Sequence, residues 1–168
     1  MNRATATIAA VLVIGFGIHA AQAQQTQVAF GGMKHDSSQP VEITSDTLGV
    51  DQSKGTALFN GEVLAGQGSM RIRADEILVE YQTDGKTITG EVYRMTAKGN
   101  VTLTNGAEAA EASNAVYTIA DSKVRMTGDV LLTQGLNAIS GEVLNINLDN
   151  GTAVFEGRVK TIFQPKDN

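Results

Sequence analysis

Gly99-Asn100-Val101-Thr102-Leu103 is followed at a fixed interval by Gly128-Asp129-Val130-Leu131-Leu132, and at the same interval again by Gly157-Arg158-Val159-Lys160-Thr161. An earlier copy, Gly61-Glu62-Val63-Leu64-Ala65, stands one such interval and nine further positions ahead, so nine residues are inserted in one unit. A fixed internal period means one supersecondary unit stacked on copies of itself. The unit is decided by what flanks each glycine. Two residues before it stand Phe59, Ala97, Met126 and Phe155, and four before stand Ala57, Met95, Val124 and Ala153. Two after it stand Val63, Val101, Val130 and Val159. These positions share one parity and therefore one face of a strand that runs through the glycine. Their neighbours Asn60, Lys98, Thr127 and Glu156 are polar, as expected of a strand with one buried face.

Each unit holds a second strand. Ile72, Ala110 and Ile139 lie an odd number of positions after the glycine. Ile77, Ala115 and Leu144, then Val79, Tyr117 and Ile146, lie an even number after it. The inward parity flips near Asp75, Ser113 and Glu142, which predicts a bulge or corner where one strand serves two faces. Val41 to Val50 carries the same half-unit, with Asp46 standing one full repeat interval before Asp75. Asp84-Gly85, Asn105-Gly106, Asp121-Ser122 and Asn150-Gly151 supply turn chemistry between adjacent strands. The nine inserted residues fall between Gln82 and Met95 and lengthen one hairpin. Pro40 and Pro165, the only prolines, bracket the rest, and a proline-free interior can pair throughout. The expected architecture is all-β, an elongated antiparallel stack of about eight long bent strands.

The chain has 168 residues, 42% of them hydrophobic, enough for one domain with a core. Residues 1–23 read as a cleaved secretory signal. Arg3 precedes the apolar run Ile8 to Ile18, and Ala21-Gln22-Ala23 gives the small-x-small cleavage pattern. The alternative is a retained membrane anchor, for which the run from Ile8 to Ile18 is short. Residues 24–39 read as a flexible leader, 40–164 as the domain and 165–168 as a tail. Without cysteine, no disulfide framework or thioether anchor is possible. Loss of Arg3 leaves 12 basic against 18 acidic residues, a balance that argues against nucleic acid.

Catalytic chemistry has little to stand on. His35 lies in the leader beside Asp36 and reads as a solvated polar residue. Asp46, Asp75 and Glu76 could pair as acid and base, but such residues recur at the corners of the units and so are expected to satisfy backbone groups at the bulges. Neither a phosphate loop nor a nucleophile elbow is present. No catalytic residue, metal or cofactor is expected. The aromatics Phe59, Tyr81, Tyr93, Tyr117, Phe155 and Phe163 are expected to be mostly inward, among alternating small and large apolar residues. An open-ended β structure with that lining can leave an apolar groove along its length.

Gln39-Pro40-Val41-Glu42-Ile43-Thr44-Ser45-Asp46 with Leu48-x-Val50 resembles the start of an OstA-like domain. The order Phe59-x-Gly61-x-Val63, Gln67-Gly68, Ile72-x-Ala74-Asp75 and Thr127-Gly128-Asp129-Val130 is similar as well, so the resemblance covers about 40–164. It implies a twisted β-jellyroll, open along one edge. Such proteins bridge the periplasm by stacking end to end, and lipid A acyl chains of lipopolysaccharide ride in the interior. The implied partners are an inner-membrane anchored β-jellyroll homologue, the outer-membrane translocon and further copies of the chain. In relatives, interior contacts come from the first strands, matched here by Val41 and Ile43. Unlike familiar members, the chain has no long basic tail beyond Lys166.

The residues expected to line the groove are Val41, Ile43, Leu48, Val50, Phe59, Val63, Ile72, Ile77, Val79, Val101, Tyr117, Met126, Leu132, Leu144, Ile146 and Phe155. Val41 to Val50 and Thr152 to Phe163 are the first and last strands, expected to offer edges for strand addition. Two other readings remain. One is a membrane-anchored relative of the same fold. The other is a β-helical enzyme or saccharide-binding module, since those also carry repeats.

Overall fold

The alternating pattern resolves into eleven strands in the computed structural model, which describes residues 26–29, 36–84 and 87–163. They are β1 (Thr26–Ala29), β2 (Glu42–Thr44), β3 (Thr47–Asp51), β4 (Thr56–Gln67), β5 (Met70–Asp84) and β6 (Thr87–Asn105). Then come β7 (Glu108–Thr118), β8 (Lys123–Gln134), β9 (Asn137–Asn147), β10 (Thr152–Glu156) and β11 (Lys160–Ile162). All join one antiparallel sheet in the order β1-β10-β9-β8-β7-β6-β5-β4-β2, with β3 also on β4 and β11 also on β9. The chain thus makes eight consecutive passes: β2 with β3, the six unbroken strands β4 to β9, and β10 with β11. The longest are β5 and β6, at 15 and 19 residues, and the insertion lies in the hairpin they form.

The corners lie where the parity flips. Between β4 and β5 the register runs Asn60↔Glu76 then Val63↔Ala74, so Gly61 and Glu62 together oppose Asp75. The same slip recurs at Lys98/Val101 and Thr127/Val130. Each bulge lets the glycine-bearing strand keep its parity while its partner changes face. Gly61, Gly99, Gly128 and Gly157 adopt φ of +82°, +74°, +86° and +75°. The residues after them, Glu62, Asn100, Asp129 and Arg158, are also left-handed, at +41°, +46°, +51° and +22°. Space adds to the demand for glycine. A Cβ on Gly61 or Gly99 would run into the carboxylate of Asp46 or Asp75, and one on Gly128 would lie 2.7 Å from Ser113 Oγ. The repeat is therefore a stack of bulges along a crease that folds the sheet over its own inner face.

Four residues of the expected leader form β1, which pairs with β10 from Thr26↔Phe155 to Ala29↔Thr152. Residues 36–39 make a turn held by the Asp36 carboxylate, which accepts from Ser38 N at 3.0 Å and Gln39 Nε2 at 2.9 Å. Described structure thus begins ahead of Pro40. Residues 1–23, His35 and the tail 165–168 lie outside the described residues.

Candidate functional site

Cross-strand partners share a face of a sheet, and here they align into rows that cross all eight passes and are apolar except for Thr161 at the end of one. One row reads Ile43, Ala65, Ile72, Leu103, Ala110, Leu132, Ile139 and Thr161. Beyond the crease a second reads Leu48, Phe59, Ile77, Ala97, Ala115, Met126, Leu144 and Phe155. A third reads Val50, Ala57, Val79, Met95, Tyr117, Val124, Ile146 and Ala153. Strands stand about 4.8 Å apart, so eight passes carry each row roughly 33 Å along the molecule. Small and large side chains mix along the rows, as at Ala115↔Met126 and Ala65↔Ile72.

The rows differ in cover from one end to the other. Val63, Ile72, Ile77, Val79, Val101, Tyr117, Met126, Leu132, Leu144, Ile146 and Phe155 are all buried, none more than 3% exposed. Val41, Ile43 and Phe59 are half-buried and pack against that core. Leu48 and Val50 are exposed, at 56% and 64%. All sixteen residues expected at the groove therefore belong to the interior or to its margin. From β5 to β10 the interior is filled with its own side chains, and at the first pass it is open among the described residues. Parity places Leu48 and Val50 on the inner face, but among the described residues no strand pairs with the outer side of β3 to cover them.

Other expectations fare unevenly. Tyr117 and Phe155 are buried, whereas Tyr93 is 41% exposed beneath the Arg94 guanidinium, and Phe163 is 72% exposed. The corner carboxylates bond mainly to side chains rather than to backbone groups. Asp75 Oδ2 accepts from Asn100 Nδ2 at 2.9 Å, and Glu142 Oε1 accepts from Arg158 Nε at 3.3 Å. Among the described residues, no group of three or more His, Cys, Asp or Glu is placed to hold a metal ion.

One polar feature lies outside these expectations. Gln67 ends β4 at inward parity and is buried. Its Oε1 accepts from the Tyr117 hydroxyl at 2.9 Å, and its Nε2 donates to the carbonyls of Ser37 and Gln39 at 2.8 and 2.9 Å. Burial, with Asp149 adding to it, holds the phenol above its ordinary pKa, so Tyr117 stays a neutral donor. Turn 36–39 is thereby tied across one end of the interior, beside a cavity of about 650 Å³ that Val41, Tyr81, Val92 and Ile119 help to line. A glutamine in an otherwise apolar inward series is the signal in the sequence that could have found it.

Known proteins share this architecture. A model of the family described as LptA/(LptD N-terminal domain) LPS transport protein matches residues 42–152. A Rhizobium meliloti protein described only as uncharacterized is 29% identical over 169 residues, spanning 94% of this chain and 91% of its own. The lipopolysaccharide export system protein LptA of Haemophilus influenzae is 26% identical over 140 residues, spanning 79% of this chain and 81% of its own. Among solved structures, the fold is similar to LptH, described as the LptA homologous periplasmic component of the lipopolysaccharide transport device of Pseudomonas aeruginosa. The TM-score is 0.69 at 16% identity, over 78% of this chain and 99% of the other.

Proposed function

The chain belongs to the LptA/(LptD N-terminal domain) LPS transport protein family, and on that footing we propose that it is a non-enzymatic periplasmic bridge for lipopolysaccharide. Its interior rows shield the lipid A acyl chains between the inner and outer membranes. The observation that carries this reading is the continuity of three inward rows across every pass, apolar except for Thr161 at the last and open at Leu48 and Val50. Exposed methylenes cost roughly 0.8 kcal/mol each in water, so a multi-chain lipid needs continuous cover rather than chemistry. Rows of similar aliphatic character give similar affinity along their length, which permits sliding. The margin Val41, Ile43, Leu48, Val50 and Phe59 receives the chains, and the half-sheets part around them further in. Residues 1–23 are removed on export, and the mature protein starts at Gln24. Its partners are an inner-membrane anchored β-jellyroll homologue, the outer-membrane translocon and further copies of itself.

A photo-crosslinking side chain placed singly along the strands tests this. Ile43 and Ile146 should capture lipopolysaccharide, whereas outward Thr102 and Asn147 should not. Capture from the outward positions alone overturns the reading.

A further inference from the structure

We propose that Thr26–Ala29 is an internal stand-in for the first pass of a second copy of this chain, held on the edge where that copy docks. The inference rests on the end-to-end stacking in the function proposed above and concerns how it is regulated.

The two ends of the sheet match. The first pass is five residues of β3 and three of β2, divided at the crease; the last is five of β10 and three of β11, divided likewise. Eight alternating passes mean that a neighbour's first pass, added beside β10 and β11, continues the antiparallel order. The repeat also fixes the register. Four before a glycine always meets four after the next corner residue, as in Val124↔Ile146 and Ala57↔Val79, and two before meets two after, as in Met126↔Leu144. Applied to Gly157, this sets Ala153 against Val50 of the second copy and Phe155 against its Leu48. Four after a glycine meets three before that corner, as in Ala65↔Ile72, which sets Thr161 against Ile43. All three rows then run unbroken into the next molecule, and the exposed Leu48 and Val50 are covered.

Those positions are taken. Val28 stands opposite Ala153 and Thr26 opposite Phe155. β1 is antiparallel to β10, the polarity required of the neighbour, yet it makes only four pairs and leaves β11 uncovered among the described residues. A second copy offers eight paired positions to its four. The cap therefore protects a free edge in the single molecule and yields to a longer strand of the same polarity.

The test uses the mature chain, which has no cysteine of its own. Gln27→Cys with Val154→Cys, a directly opposed pair, locks the cap when oxidised; the reduced protein is its own folding control. By sedimentation or light scattering, the oxidised form should associate about tenfold or more weakly than the reduced form. Deletion of 24–29 should strengthen association, and in that background Gly49→Cys with Val154→Cys should yield disulfide-linked multimers. Equal association of oxidised and reduced forms, or a deleted chain that stays monomeric, overturns the proposal. Lipid capture at Ile43 is read separately. If it persists while the lock has no effect, only the cap is wrong; if it is absent while the lock controls association, the conduit reading fails and the cap stands.

Discussion

The Tyr117 hydroxyl donates to Oε1 of Gln67 at 2.9 Å, joining β7 on one half-sheet to the end of β4 on the other. Because Gln67 also holds the carbonyls of Ser37 and Gln39, this bond links the closed interior to the turn at its end. Tyr117→Phe should lower stability by about 1–2 kcal/mol in denaturant unfolding. Gln67→Leu should in addition speed hydrogen exchange in 36–40 while β6 and β7 keep their protection. Unchanged exchange there would mean that the turn is held by other contacts.

Glycine substitutions separate backbone strain from crowding. Gly99→Ala meets both a φ of +74° and the Asp75 carboxylate, and should cost roughly 2–3 kcal/mol. Gly90→Ala meets φ of +87° with nothing within 4 Å, and should cost about 1 kcal/mol. Gly49→Ala meets neither, and should be neutral or stabilise by roughly 0.5 kcal/mol. Equal costs at Gly99 and Gly90, in thermal or denaturant unfolding, would remove the packing role given to Asp75.

Much of this fold is legible from spacing alone. The parity flip between Ile72 and Ile77 locates the corner at Asp75, while the extra residue that accommodates it stands on the partner strand, at Gly61-Glu62. The left-handed residues after each glycine are less visible; Asn100 and Asp129 tolerate that conformation and hint at it, but Glu62 and Arg158 do not. Parity assigns a face but not what covers it, hence the exposure of Leu48, Val50 and Phe163. The pairing of β1 with β10 joins the two ends of the described chain with no repeat to announce it.

The pair Glu80–Arg94 gives a pH signature. Arg94 Nε and Nη2 donate to the two Glu80 oxygens at 2.6 and 2.7 Å, which lowers the Glu80 pKa below its ordinary value of 4.5. A depressed carboxyl pKa means that the folded state binds fewer protons than the unfolded state. The contribution is therefore present above pH 4.5 and fades as pH falls through the folded pKa. Partial exposure limits it to roughly 0.5–1 kcal/mol. The stability difference between Glu80→Gln and the parent should shrink from pH 6 to pH 3; a difference that does not vary with pH would contradict this.

The open margin allows lipid handling to be tested without unfolding the core. Leu48→Asp and Val50→Asp, at 56% and 64% exposure, should change stability by less than about 0.5 kcal/mol and reduce lipopolysaccharide capture several-fold. Ile146→Asp, in the packed interior, should fail to fold. Full capture by the Leu48→Asp, Val50→Asp double variant would exclude this margin as the entry.

The most direct measurement compares binding of lipopolysaccharide with that of the same molecule stripped of its acyl chains, by calorimetry on the mature protein. If the interior shields acyl chains, the intact lipid should bind at least a hundredfold more tightly, about 2.7 kcal/mol, with the negative heat-capacity change of apolar burial. Equal affinity for the deacylated sugar would place recognition on the outer surface and contradict the conduit.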